Sequence, residues 1–260
     1  YEKRVHASDL PFFLALLDHL ADRGLPVPRA IVDRTGHQIQ TVAGRPACLI
    51  EFLPGVSITT PTVAHARATG AALGAMHAAL AEFEATRPNE LGLADWHRLS
   101  ARCGSALDTV EPGLRARVAD ELAWLDRHWP RDLPCAIVHG DLFPDNVLMR
   151  GDAVGGVIDF YFACTEVRAW DVAVTHAAWS FTPDGASFHP AVGDALLAGY
   201  EMTFGLTPAE RAGFAALARG ACLRFLLTRA WDWLNTPPDA LVTRKDPLAF
   251  LRRLDHYARP

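Results

Sequence analysis

Several things are scarce in this 260-residue sequence, and each scarcity removes a class of function. Its five cysteines, Cys48, Cys103, Cys135, Cys164 and Cys222, are odd in number and lack the close Cys/His spacing of a zinc site, so neither a disulfide framework nor a structural metal is expected. They suit a reducing compartment. No apolar run is long enough to span a bilayer without interruption by charge, and the first residues lack a signal-peptide pattern, which together point to a cytoplasmic protein. Basic excess is lacking too. A net charge of -5 and a pI near 6.1 give no electrostatic footprint for nucleic acid or an anionic membrane. No repeat or low-complexity tract appears, the alanine-rich stretch 64–81 reading as a tightly packed helix. With half of its residues hydrophobic and 21% charged, the chain can bury a large core organised as two lobes.

One constellation stands out: His139-Gly140-Asp141-Leu142-Phe143-Pro144-Asp145-Asn146, followed by Ile158-Asp159-Phe160. Each tripeptide alone reads as a turn or a strand end. Together they bring two acids and an amide to one loop cluster, because Ala136-Ile137-Val138 reads as a buried strand before the loop. Residues 146–149 and 155–158 then read as a hairpin turning at Gly151-Asp152. That residue set fits phosphoryl transfer, in which a protein mainly aligns the attacking hydroxyl and neutralises charge. Asp141 would orient the hydroxyl and accept its proton, while Asn146 and Asp159 would hold Mg²⁺ against the phosphates of ATP. His139 reads as a packing and hydrogen-bonding residue beneath the loop. Asp145 is either a ligand-facing acid or a loop cap.

The run Val138 to Leu148, the run Gly156-Val157-Ile158-Asp159-Phe160-Tyr161-Phe162-Ala163-Cys164, and Trp170-Asp171 with Trp179 resemble the aminoglycoside phosphotransferase-like small-molecule kinases, relatives of the protein kinases. Leu223-Arg224-Phe225, Arg229, Trp231-Asp232-Trp233, Leu241-Val242-Thr243 and Lys245-Asp246-Pro247 are similar to the C-terminal signature of the bacterial homoserine kinases of that family. The likeness runs over almost the whole chain. It implies a two-lobed, protein-kinase-like α+β fold, with a small antiparallel β lobe in residues 1–53 and a larger, mainly helical lobe in residues 54–260. It further implies that the backbone of Glu51, Phe52 and Leu53 forms a hinge for the adenine edge, and that Asp171 steadies the catalytic loop from a helix start. The activity implied is ATP-dependent phosphorylation of L-homoserine to O-phospho-L-homoserine, on the route to threonine. The pattern breaks ahead of the first helix, where neither a phosphate-covering loop nor a strand with its basic residue is found. Lys3 reads as a solvated strand-end lysine, and Asp9 and Asp18 are the acids nearest to the place of its expected partner.

Elements follow from periodicity and punctuation. Asp9 to Arg23 carries Leu10, Phe13, Leu14, Leu17 and Leu20 at helical spacing, after Ser8 as cap and before Gly24. Residues 29–33, 38–43 and 47–52 read as antiparallel strands with turns at Thr35-Gly36 and Gly44-Arg45. A helix begins at Thr60-Pro61 and runs to about Ala81. Further helices are expected over 95–108, 112–128, 170–181, 188–204 and from Pro208 toward Trp233, the last opened by the capping box Thr207-Pro208-Ala209-Glu210.

The sign of charge in the C-terminal region bears on substrate. From Arg219 to Arg259 there are eight Lys/Arg against four Asp, which suits a carboxylate-bearing substrate rather than a polycationic aminoglycoside. Arg224 and Asp232 stand two helical turns apart and with Arg229 are candidates for one substrate wall, to which Asp145 and Tyr161 are added; Phe143, Phe162 and Trp179 are candidate pocket walls. Two other readings remain open on the sequence: a kinase for another small alcohol, such as an amino alcohol or an aminoglycoside, and a non-catalytic scaffold of the same fold.

Overall fold

The computed structural model describes residues 6–237, 240–241 and 244–259; Lys3, Asp239, Val242 and Thr243 lie outside them. The first helix, α1 (Leu10–Asp22), follows a single 3-10 turn at Ala7–Asp9 and ends before Gly24, whose φ of +78° reverses the chain. Ser8 does not cap it, since that 3-10 turn draws the backbone inward first. The three expected strands of the small lobe are antiparallel but very short. Arg29 and Ile31 exchange bonds with Glu51 and Leu49 around the single bridge Ala30–Ile50. β1 (Gln40–Val42) pairs with β2 (Arg45–Ala47) across a turn at Ala43-Gly44, both at positive φ. With Val42, Ile50 and Phe52 exposed, little apolar burial is available to lengthen this ladder.

The larger part of the fold is built on helices. α2 (Val63–Leu80) starts two residues later than the sequence suggests, because Thr62, not Thr60, is the cap: Thr62 Oγ1 accepts from the His65 amide, and the His65 ring accepts from the Thr62 amide. The expected helix over 95–108 is interrupted at Gly104, giving α3 (Leu93–Cys103) and the one-turn α4 (Leu107–Val110); α5 (Leu114–His128) follows left-handed Gly113. Next come α6 (Arg168–Trp179), α7 (Pro190–Thr203) and the 28-residue α8 (Pro208–Asn235). The Thr207–Glu210 capping box opens α8 as expected. α9 (Leu248–Tyr257) was not foreseen.

Two antiparallel ribbons carry the motif loops. β3 (Cys135–Val138) pairs with β6 (Cys164–Val167), a strand the sequence did not announce, and β4 (Val147–Arg150) pairs with β5 (Ala153–Val157) in the expected hairpin. The linker between the lobes is strapped to that hairpin. Val56 and Met149 exchange both backbone bonds, at 3.0 and 2.8 Å, and a Cβ on Gly55 would lie 2.8 Å from the Leu148 side chain.

The core is continuous around the motif loops, with Trp96, Trp170, Trp179 and Tyr200 nearly or fully buried. α2 and α7 approach most closely, and glycine makes that possible: a Cβ on Gly70 would meet the Leu196 carbonyl at 2.0 Å, and one on Gly199 the Arg67 carbonyl at 2.0 Å. Backbone cannot yield as a side chain can, so Gly70→Ala should lower the unfolding free energy by about 1–3 kcal/mol, read from urea denaturation.

Candidate active site

His139 to Asn146 leaves β3 as a loop held at every turn by buried partners. Asp171, fully buried in the first turn of α6, accepts the amides of His139 and Gly140 at 2.8 Å each and faces His77 at 3.1 Å. Burial works against its ionisation, but the bond from His77, that ring's charge and the His139 amide outweigh it and hold the carboxyl below its ordinary 3.8. The His139 ring pairs through Nε2 with the Ile158 carbonyl at 3.1 Å and receives the Asp141 amide on Nδ1 at 3.2 Å, an arrangement that demands the neutral ring. Burial lowers its pKa accordingly. The Trp179 indole donates to the Leu142 carbonyl at 2.9 Å. Trp179 is therefore a core anchor of the loop, not a pocket wall.

These bonds bring the motif acids together. Asn146 Nδ2 donates to the Asp141 carbonyl at 2.7 Å and to its carboxylate at 3.2 Å, which leaves Oδ1 as the amide atom with lone pairs for a cation. Ile158 N donates to the Asn146 carbonyl at 3.0 Å, placing Asp159 beside the loop; its backbone is left-handed, φ 63° and ψ 61°, a strained conformation for a non-glycine residue. Burial pushes the Asp141 carboxyl up to about 7; the Arg224 guanidinium pulls against this, and the charges of Asp159 and Asp145 add to it. A base near neutrality is well matched to proton acceptance. One carboxylate and one amide oxygen do not make a protein-only metal cage, and no cluster of three His, Cys, Asp or Glu exists among the described residues. The donor set fits Mg²⁺ in the form that completes its octahedron with phosphate oxygens and water.

Asp141 opens on a cavity of about 250 Å³ whose wall includes Phe143, Phe162, Arg224, Arg229 and Asp232. So far the geometry describes an acid lining a cationic pocket, with an amide bonded to it and a second acid beside the same loop. A family model described as the phosphotransferase enzyme family matches residues 1–214. A homoserine kinase of Zymomonas mobilis subsp. mobilis is 56% identical over 99% of this chain and 80% of its own length, and one of Methylobacterium radiotolerans is 51% identical over the same shares. The chain belongs to the phosphotransferase enzyme family, among its homoserine kinases. Solved structures agree on the fold. An amicoumacin kinase in complex with AMP-PNP, Ca²⁺ and Ami superposes with a TM-score of 0.73 at 15% identity, covering 97% of this chain and 78% of that one. A choline/ethanolamine kinase family protein from Mesorhizobium loti gives 0.67 at 17% identity, with 95% and 80% covered. The two-lobed α+β, protein-kinase-like fold expected from the sequence is the fold of the chain.

Against this family background, the individual residues fall into place unevenly. Arg224, Arg229 and Asp232 reach the cavity with Asp141, but Arg224 is only 2% exposed and is already bonded to the Gly140 carbonyl. Asp145 is exposed outside that wall; its side chain pairs with Lys245 at 3.3 Å, and its carbonyl accepts from Ser57. Tyr161 turns away from the cavity and sets its ring edge-on to Phe13 of α1 at 5.5 Å. Glu51 has its amide committed to the Arg29 carbonyl at 2.9 Å, while Phe52 beside it is 92% exposed. Asp9 and Asp18, weighed as partners for a phosphate-side lysine, are engaged elsewhere: Asp9 pairs with Arg87 at 2.9 Å and Asp18 accepts from Gln38 at 2.8 Å. Thr228 and Lys245 also line the cavity. The signal for Thr228 was available, since it lies four residues from both Arg224 and Asp232 on one helix face.

Asp171→Asn replaces an acceptor of two buried amides with a side chain that carries only one acceptor oxygen. It should reduce the unfolding free energy by about 3–5 kcal/mol at neutral pH. Because the folded-state pKa is depressed, the stabilisation is complete above 3.8 and is lost as pH falls from there through the folded value. Urea melts of both proteins should therefore converge on acidification below 3.8.

Proposed function

We propose that the chain transfers the γ-phosphoryl group of ATP to the hydroxyl of L-homoserine, forming O-phospho-L-homoserine for threonine synthesis. The observation that carries this reading is the shared cavity of Asp141, Arg229 and Asp232, in a chain 56% identical to a homoserine kinase. Homoserine offers a hydroxyl, a carboxylate and an ammonium. Asp141 takes the hydroxyl proton, Arg229 the carboxylate and Asp232 the ammonium. Burial and the like charge of Arg253 pull Arg229 down to about 10, so an incoming anion relieves its environment. A polycation or a plain amino alcohol has no group to offer Arg229, and a non-catalytic scaffold has no use for the intact acid, amide and acid set; neither reading is favoured.

Asp141, oriented by Asn146 Nδ2, directs the hydroxyl toward the phosphoryl group and receives its proton as the new O–P bond forms. Asn146 Oδ1 and Asp159 would hold Mg²⁺, which when bound neutralises phosphate charge. Phe52 and Leu53 are the hinge residues whose backbone faces the adenine edge. In this division residues 1–53 form the nucleotide side, residues 54–260 carry catalysis and substrate, and the protein works in the cytoplasm, to which unpaired Cys103, Cys135, Cys164 and Cys222 are suited.

The catalytic assignment is tested by two variants assayed for turnover and, by calorimetry, for Mg²⁺-ATP affinity. Asp141→Asn should lower kcat by about 10²–10⁴-fold, the usual worth of a general base, and leave nucleotide affinity nearly intact. Asp159→Ala should abolish turnover and weaken Mg²⁺-ATP binding strongly. Retention of more than about a tenth of kcat by the first variant, or unchanged affinity in the second, removes the corresponding role.

Specificity is read from a substrate panel. Arg229→Ala and Asp232→Ala should each raise the KM for homoserine roughly 10- to 100-fold, the loss of a charge-assisted hydrogen bond, with far less change in the KM for ATP. Wild-type enzyme should prefer homoserine to the amino alcohol lacking its carboxylate. Choline or kanamycin outperforming homoserine would discard the substrate while leaving the family intact.

A further inference from the structure

Arg224 sits in the middle of α8, 2% exposed, in the cavity wall but scarcely open to it. Its guanidinium is wedged among three rings, 4.4 Å from the centroid of Phe225, 5.1 Å from Phe162 and 5.3 Å from Trp170. Those rings pack against the cation and hold it in place. Nη1 donates to the Gly140 carbonyl, while Nε has no acceptor among the described residues. An arginine reserved for an incoming carboxylate presents its two-pronged edge to the pocket; Arg224 presents almost none of itself, whereas Arg229, five residues further along α8 and less buried, lines the cavity with only Nη1 hydrogen-bonded among the described residues, on the Asp246 carbonyl at 3.2 Å.

What Arg224 does hold is a single peptide plane. The peptide joining Gly140 to Asp141 has its carbonyl on Arg224 and its N–H on His139 Nδ1, at 3.2 Å. The preceding peptide is fixed through the Gly140 amide on Asp171, at 2.8 Å. Gly140 itself is left-handed, φ +72°, and a Cβ there would stand 3.1 Å from the Phe162 carbonyl. Glycine at this position leaves the backbone soft by nature. Stiffness must come from outside, and α6 and α8 supply it from opposite ends. Rotation of the Gly140–Asp141 plane would swing the Cα–Cβ bond of Asp141 and with it the atom that meets the substrate hydroxyl.

We propose that Arg224 is a positioning residue for phosphoryl transfer: bonded to the Gly140 carbonyl and wedged among Phe162, Trp170 and Phe225, it fixes the peptide that aims Asp141 and is not the carboxylate ligand of the substrate. This rests on Asp141 receiving the hydroxyl proton, a reading that fails separately if Asp141→Asn keeps its activity. Arg224→Lys keeps the charge but cannot keep the planar, stacked fork; Arg224→Gln keeps a carbonyl-directed donor without the charge. Both should lose kcat, Arg224→Lys by about 100-fold, as misalignment of a reacting group by an ångström can cost. The KM values for homoserine and ATP should stay within about threefold of wild type, well below the change expected for a lost carboxylate contact. A homoserine KM that rises more than kcat falls, in either folded variant, overturns the proposal. Should neither variant fold, the wild-type enzyme still decides: the Arg224 Nε–H resonance should be unmoved by saturating homoserine, and a downfield shift typical of carboxylate pairing refutes the assignment.

Discussion

The buried carboxylate of Asp171 is the constraint from which the site is built. A strand that ends in a tight loop leaves backbone N–H groups inside the protein, and each must find an acceptor. Asp171 accepts two of them, from His139 and Gly140, and is itself faced by His77 from α2. A fully buried charge is tolerable only when its lone pairs are occupied in this way. The loop is consequently tied to two helices at once, and Asp141, the next residue, inherits its place from them.

The remaining bonds extend the same logic outward. His139 ties the loop to Ile158 at the mouth of the second motif, Trp179 ties it to α6, and Asn146 closes it on Asp141. Each attachment uses a buried side chain and a backbone group, a rigid combination because neither member can be replaced by water. Asp159 differs from these anchors, being exposed and left-handed. In the proposed reaction a cation and its phosphates approach from solvent, and an exposed Asp159 is open to them.

Much of this was legible along the chain because it depends on short-range signals. The hairpin of β4 and β5 followed from its turn and the start of α8 from its capping box, while the structural role of Asp171 at a helix start was implied by the family resemblance. Other features had no local signal. β6 is four residues long and is a strand only because β3 lies beside it. α9 was obscured by Arg253, a charged residue on the buried face, whose Nη2 donates to the Thr182 and Pro183 carbonyls of another loop. Tyr161 stands two residues after the motif acid, yet its ring packs on Phe13 of α1, nearly 150 positions earlier in the chain.

The sequence by itself determined the family, through residue type and spacing in His139 to Asn146 and at Asp159, and the proposed chemistry follows from the same residues. The charge balance after Arg219 was equally a matter of counting. Only the tertiary structure decided what each cation does. Arg224 and Arg229 are alike in the sequence, five residues apart on one helix, but a helix turns 100° per residue and α8 is enclosed on one side by the catalytic loop. Arg224 is turned inward to the Gly140 carbonyl and three rings, while Arg229, less buried, lines the cavity beside Phe250 and bonds the Asp246 carbonyl. What each of two identical side chains meets is set by what lies across from it, and that is a property of packing, not of order along the chain.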